Sequence, residues 1–141
     1  MSLNAEICRM SNVISLTNDD LRFKTITCAK YERQATATLI AHLVEVDRRK
    51  LFLDWGHGSM FSYITDELKC EKGSASLKVS AVRAAMCVSD LPAKIESGTL
   101  SLKGIRIVES FVYHEGRARG KELSLTEKAE VYKSVENLSV T

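Results

Sequence analysis

From Ala29 to Trp55 the chain carries no proline and no glycine, and its apolar residues recur at the spacing of a helix rather than a strand. Leu39, Leu43, Val46 and Lys50 follow one face, with Ile40, Val44 and Leu51 beside it. This is the expected long central helix. Strict apolar-polar alternation is missing everywhere and Pro92 is the single proline, so nothing in the rest of the chain argues for strands. The fold class expected is all-α: a single-domain bundle of about six helices. At 141 residues with 45% hydrophobic content the chain has enough apolar surface to build one core. A charged fraction of 27% does not suit a disordered chain.

Local signals divide the chain. Residues 1–16 read as an N-terminal segment ahead of the folded part. Thr17-Asn18-Asp19-Asp20 is a helix start, because the Thr17 hydroxyl can cap an orphan amide while Asp20 favours the positive end of the dipole. Gly56 is the expected left-handed stop of the long helix. Ser59 then caps a segment whose Met60, Phe61, Ile64 and Leu68 form one stripe, which predicts burial of all four. A helix beginning between Glu71 and Ser74 points Ala75, Val79, Val82 and Ala85 or Met86 inward, with Ala81 and Ala84 small enough for close helix approach. A short helix over Leu91–Ser97 ends at Gly98. Ser101 starts another with Leu102, Ile105, Val108 and Val112 at helical spacing. The helical domain is thus expected over 17–113. Gly116, Gly120 and the surrounding charges make 114–123 an expected exposed loop, and the capping box Ser124-Leu125-Thr126-Glu127 opens a final helix within 124–141. Trp55, Met60, Phe61, Tyr63 and Phe111 are expected in the core.

Several function classes find no support in the residues. Cys8, Cys28, Cys70 and Cys87 stand far apart without a CxxC pair or a histidine at zinc-ligand spacing, so no metal and no other cofactor is expected. Cys28 and Cys87 read as buried, reduced thiols. His42 sits within the long helix, His57 between two glycines, and His114 ahead of the charged segment, none beside a partner suited to general-base work. No signal peptide, lipidation motif or long uncharged apolar run is present, which predicts a cytoplasmic protein without membrane contact.

A formal net charge of +2 is too small for the whole-molecule field to declare a nucleic-acid partner. Local patches must carry any such reading. Two helices joined by Lys69-Cys70-Glu71 invite a helix-turn-helix interpretation, in which the second helix presents Ser76, Lys78, Ser80 and Arg83 to a major groove while Lys69 and Lys72 meet phosphates. The interleaved Asp66, Glu67, Glu71 and Asp90 argue instead for an ordinary core hairpin, since a DNA face is expected to be a basic stripe. Arg48-Arg49-Lys50 forms a second basic run, suited either to phosphate contact or to pairing with Glu45 and Asp47 at the negative end of the helix dipole. The candidate nucleic-acid contacts are therefore Arg48, Arg49, Lys69, Lys72, Lys78 and Arg83.

Gly56-x-x-Ser59-Met60-Phe61-x-Tyr63, then Glu67-Leu68, Ala75 and Val79-Ser80-Ala81-Val82-Arg83, resembles the helical region that precedes the catalytic motif in bacterial HNH endonuclease-type proteins. The likeness extends to His42-Leu43-x-Glu45-Val46-Asp47-Arg48-Arg49-x-Leu51 before the glycine and to Leu91-Pro92, Gly98-x-Leu100-Ser101-Leu102 and Gly120-Lys121-x-Leu123-Ser124 after it, roughly Asp20 to Asn137 in all. Glu71 stands where that pattern expects a capping serine, and Leu77 where one of a basic pair is common. The resemblance implies a non-catalytic DNA-binding or DNA-positioning domain whose nuclease motif would lie beyond Thr141. The alternative expectation is a protein-interaction or dimerisation module, contacting a second copy or a downstream nuclease domain without touching DNA.

Overall fold

The computed structural model describes residues 13–138, and these are all-α. Among the described residues there are seven helices: α1 (Asn18–Arg49), α2 (Leu51–Asp54), α3 (Met60–Ser62), α4 (Lys72–Ala84), α5 (Leu91–Ser97), α6 (Leu102–Arg119) and α7 (Leu125–Val135). α3 runs directly into a π-helical turn, Tyr63–Glu67. The N-terminal segment expected over 1–16 lies, up to residue 12, outside the described residues, as does Cys8.

Capping sets the helix starts where the sequence placed them. The Thr17 hydroxyl accepts from the Asp20 amide at 3.2 Å, Ser59 and Ser62 form a reciprocal capping box, and Ser101 and Ser124 accept from Gly104 and Glu127 at 3.0 and 3.1 Å. Each bond satisfies an amide that the first helical turn cannot. Gly56, Gly98 and Gly120 have φ of 90°, 82° and 79°, the left-handed conformation that ends a helix without a Cβ clash.

The long helix is continuous from the Thr17 cap, and it is its end that departs from expectation. It begins at Asn18 and stops at Arg49, because Lys50 itself adopts a left-handed conformation (φ 55°) and its amide turns back to the Asp47 carbonyl at 3.1 Å. Leu51–Asp54 is a separate turn before Gly56.

α4 is the hub. It packs along α6, against α1, and against α3 with its π turn, while α1 also lies along α5 and α6 meets α7. Ala75, Ala81 and Ala84 are fully buried, so small side chains bring the helix axes close. Ile40, Leu43, Ile64, Leu91, Ile105, Val108 and Tyr132 complete the centre of the core. Tyr132 is the largest fully buried side chain, and its hydroxyl donates to Glu109 Oε1 at 2.6 Å. That bond resolves the cost of placing a phenol in an apolar interior.

Several burial expectations are corrected. Met60, Tyr63 and Ile64 are buried at the i, i+3, i+4 spacing of one helix face, but Phe61 falls off that face and is exposed, and Leu68, after the π turn has added a residue to the repeat, is only partly covered. Trp55 and Phe111 are exposed, as are Met86 and Leu125. Cys28 and Cys87 are half-buried. The expected loop over 114–123 is mostly helix: α6 continues to Arg119, and Gly116 is a buried helical residue. A Cβ on Gly116 would stand 3.2 Å from the Lys121 carbonyl oxygen, so this glycine permits the returning chain to press against the helix. Lys121 and Gly120 amides close the end on the Gly116 and Arg117 carbonyls at 3.0 and 3.3 Å, the Schellman pattern.

Candidate functional site

The first expected site is partly covered by packing. Helix α4, proposed as the reading helix, packs one face on its neighbours; Ala75, Ser80, Ala81, Val82 and Ala84 are buried. Ser80, expected to point outward, is 8% exposed. Ser76 and Lys78 are half-buried, and Lys78 Nζ donates to Ser74 Oγ at 2.6 Å within its own helix. Lys69, at φ 60°, and Lys72 are exposed at the turn. Lys72 and Arg83 stay exposed near the two ends of α4, so its buried face supplies the core while its ends remain accessible.

The second expected site is paired within its own helix. Glu45 accepts from Arg48 Nη2 at 2.5 Å and Nε at 2.9 Å and from Arg49 Nε at 2.8 Å, and Lys50 pairs with Asp47 at 3.1 Å. Hydrogen bonds from Arg48 and then Arg49 hold the Glu45 carboxyl well below the usual range, at about 2. These are exposed i,i+3 and i,i+4 pairs, worth little in stability but enough to occupy both guanidinium groups.

Arg83 alone among the six expected residues joins a larger feature. It lines a cleft of about 720 Å³ between the end of α4, the outer half of α6 and the start of α7. Four more cations line it: Arg106 and Arg117 of α6, Lys121 of the connecting turn, and Lys128 of α7. Against these five stand two carboxylates, Glu109 and Glu122, a local excess of three positive charges. That exceeds the formal +2 of the entire chain, so positive charge is concentrated here and the remaining surface is close to balanced. Among the described residues none of the five cations forms an ion pair within 4.0 Å.

The architecture of the cleft follows from local rules. Arg106, Ser110, Tyr113 and Arg117 fall at i, i+4, i+7 and i+11 on α6 and so share one face. Tyr113 is 59% exposed, its hydroxyl accepts from Arg117 Nη1 at 3.2 Å, and the guanidinium stands 5.9 Å from the ring centre. α7 is held against α6 by Arg119, which bonds Glu127 at 2.5 Å and reaches Glu115 at 3.5 Å. Arg119 in turn lowers the Glu127 carboxyl below its ordinary range. Behind the cleft, burial and then Glu109 push the Tyr132 hydroxyl far above the ordinary phenol range, so it remains a donor to Glu109. Burial likewise raises the Cys87 thiol. A second, smaller hollow of about 330 Å³, lined by Phe52, Gly58, Met60 and Phe61, shares Arg83 with the first.

The histidines stay apart. His42 Nδ1 bonds the Thr38 carbonyl at 2.8 Å on the outside of α1, His57 Nε2 meets Glu67 Oε1 at 3.3 Å and packs its ring near Tyr63, and His114 lies edge-on to Tyr113. Among the described residues no three His, Cys, Asp or Glu side chains come together as metal ligands, and no helix is long and apolar enough to cross a membrane. No family model matches the chain, and neither does any curated protein or solved structure.

Proposed function

We propose that this chain is a non-catalytic helical domain of the kind its sequence resembles, the region preceding HNH endonuclease motifs, and that it binds or positions DNA in the cytoplasm. The observation that carries the reading is the segregation of charge: an excess of three positive charges in one cleft, with no ion pair to its five cations among the described residues, on a chain of formal charge +2. Guanidinium and ammonium groups on concave walls attract phosphate, and the nearly balanced remainder limits binding elsewhere. Binding is therefore assigned to Arg83, Arg106, Arg117, Lys121 and Lys128 rather than to the run Arg48–Lys50.

The test is titration of a fluorescently labelled DNA by anisotropy over a range of salt. Neutralising three phosphates gives a slope of log affinity against log salt of about −2 to −3. Arg106→Ala with Lys128→Ala should reduce that slope by about one or more. Arg48→Ala with Arg49→Ala should change it much less. Equal losses from both pairs would remove the cleft from the argument.

A protein-interaction module is the second reading, favoured by a different observation. Leu53, Trp55 and Phe61 are 53%, 46% and 37% exposed around the Gly56-His57-Gly58 turn. Such a patch suits association with a second copy or with an adjoining domain. Light scattering of the wild type and of Trp55→Ser separates the readings: a dimer that dissociates in the variant, together with no DNA binding at low salt, would favour it.

A further inference from the structure

Resting on the DNA-binding reading, we infer that the cleft takes a single strand of nucleic acid rather than a duplex, with Tyr113 as the platform for a base. Proteins that read duplex DNA insert a convex element into a groove about 12 Å wide. Here the basic groups line a concavity, and α4, the helix that would have been inserted, gives one face to the core and only its end to the cleft. Phosphates fixed on the outside of a duplex cannot follow these walls inward; a flexible single strand can.

Three features of the cleft match what a strand offers. Its cations are distributed over α4, α6, the turn and α7, so they track a backbone rather than surround one point. Tyr113 exposes an aromatic ring on the same face of α6 as Arg106 and Arg117, the pairing of stacking surface and cation on which single-strand binding relies. Glu109 and Glu122 line the cleft as well and disfavour filling it with phosphate alone. The occupant must carry neutral, hydrogen-bonding parts between its charges, as a polynucleotide does. A cleft of about 720 Å³ falls in the range of roughly 300–1,000 Å³ that encloses a drug-sized ligand, so it covers a short stretch of strand.

The experiment compares a labelled mixed-sequence DNA 12-mer alone and annealed to its complement, by anisotropy at low salt, on wild type, Tyr113→Ala and Tyr113→Phe. The single strand is expected to bind at least about tenfold more tightly than the duplex. Loss of the ring in Tyr113→Ala should weaken the single strand by about 5- to 100-fold, while Tyr113→Phe, which keeps the ring, should retain most of the affinity. Tyr113 is exposed, so neither variant threatens the fold. Equal or tighter duplex binding that is indifferent to Tyr113→Ala overturns the single-strand inference and leaves DNA binding intact. Absence of binding to either form overturns both. Displacement of the 12-mer by thymidine monophosphate at the same nucleotide concentration would make the cleft a small-anion pocket and also overturn the inference. An RNA 12-mer of the same sequence, if bound more tightly than the DNA, keeps the single-strand inference and replaces DNA as the polymer.

Discussion

Tyr132→Phe isolates one bond at the junction of core and cleft. The ring is 1% exposed and stays in place in the variant, so no cavity opens. What is lost is the hydroxyl that donates to Glu109 Oε1 at 2.6 Å and approaches the Ile105 carbonyl at 3.4 Å. A hydrogen bond to a charged group contributes about 1.5–3 kcal/mol net, and leaving the partner buried without it costs a similar amount. Glu109 is only half-buried and lines an open cleft, so water replaces part of the bond. The expected loss is therefore near the lower end, about 1–2 kcal/mol, or a melting temperature lower by about 3–7 °C for a chain of this size. Thermal unfolding followed by circular dichroism, with urea unfolding to check that the m-value is unchanged, measures it. Glu109→Ala combined with Tyr132→Phe should be less than additive by about 1 kcal/mol, because each removes the same bond. The phenol also has a pH signature. Its folded pKa lies above the unfolded value of about 10, so its contribution is present below pH 10 and is lost as pH rises beyond it. Absorbance titration should find Tyr132 ionising only as the chain unfolds. A melting temperature within 1 °C of wild type, or strict additivity with Glu109→Ala, would refute the assignment of this bond.

Gly56→Val should cost on the order of 1–2 kcal/mol, read by urea unfolding, through backbone strain alone: φ is 90° and a Cβ there would meet nothing within 4 Å. Ser124→Ala should loosen α7 by about 1 kcal/mol through loss of the cap on the Glu127 amide, visible as faster amide exchange in its first turn. Glu45, held at about 2, pairs with Arg48 and Arg49 throughout the neutral range, and the small stability these pairs add declines as pH falls from about 4.5 toward 2; Arg48 side-chain resonances should shift as pH approaches about 2 and not between pH 5 and 8. The purified chain is expected not to nick supercoiled plasmid with magnesium, manganese, zinc or nickel; cleavage that survives repurification and vanishes in His57→Ala or His114→Ala would contradict the non-catalytic reading.

Helix boundaries were legible because they are written locally. Thr17, Ser59, Ser101 and Ser124 each bond an amide three residues on, and Gly98 ends α5 within one residue of itself. Such signals depend only on neighbours in the chain. The basic run at Arg48 carried its own pairing partners in Glu45 and Asp47, three or four residues away, and that too could be read without coordinates.

The cleft could not, and the reason lies in two glycines. Gly116 and Gly120 made 114–123 look like a loop, which broke the spacing that joins Arg106, Ser110, Tyr113 and Arg117 into one face. A pattern search that let the helix run through Gly116 would have found that face. Only packing shows that Gly116 is there to admit the Lys121 backbone against the helix, while Gly120 alone ends it. In the same way packing decided which aromatic side chains of that segment are covered, burying Tyr63 and leaving Phe61 exposed. By itself the sequence determined helices, caps and an apolar quota sufficient for one bundle, since these follow from propensity, periodicity and short-range hydrogen bonds. The tertiary structure decided which helix is central and which charges share a cleft, because α4, α6 and α7 are brought together by burial, and burial acts between residues distant in sequence.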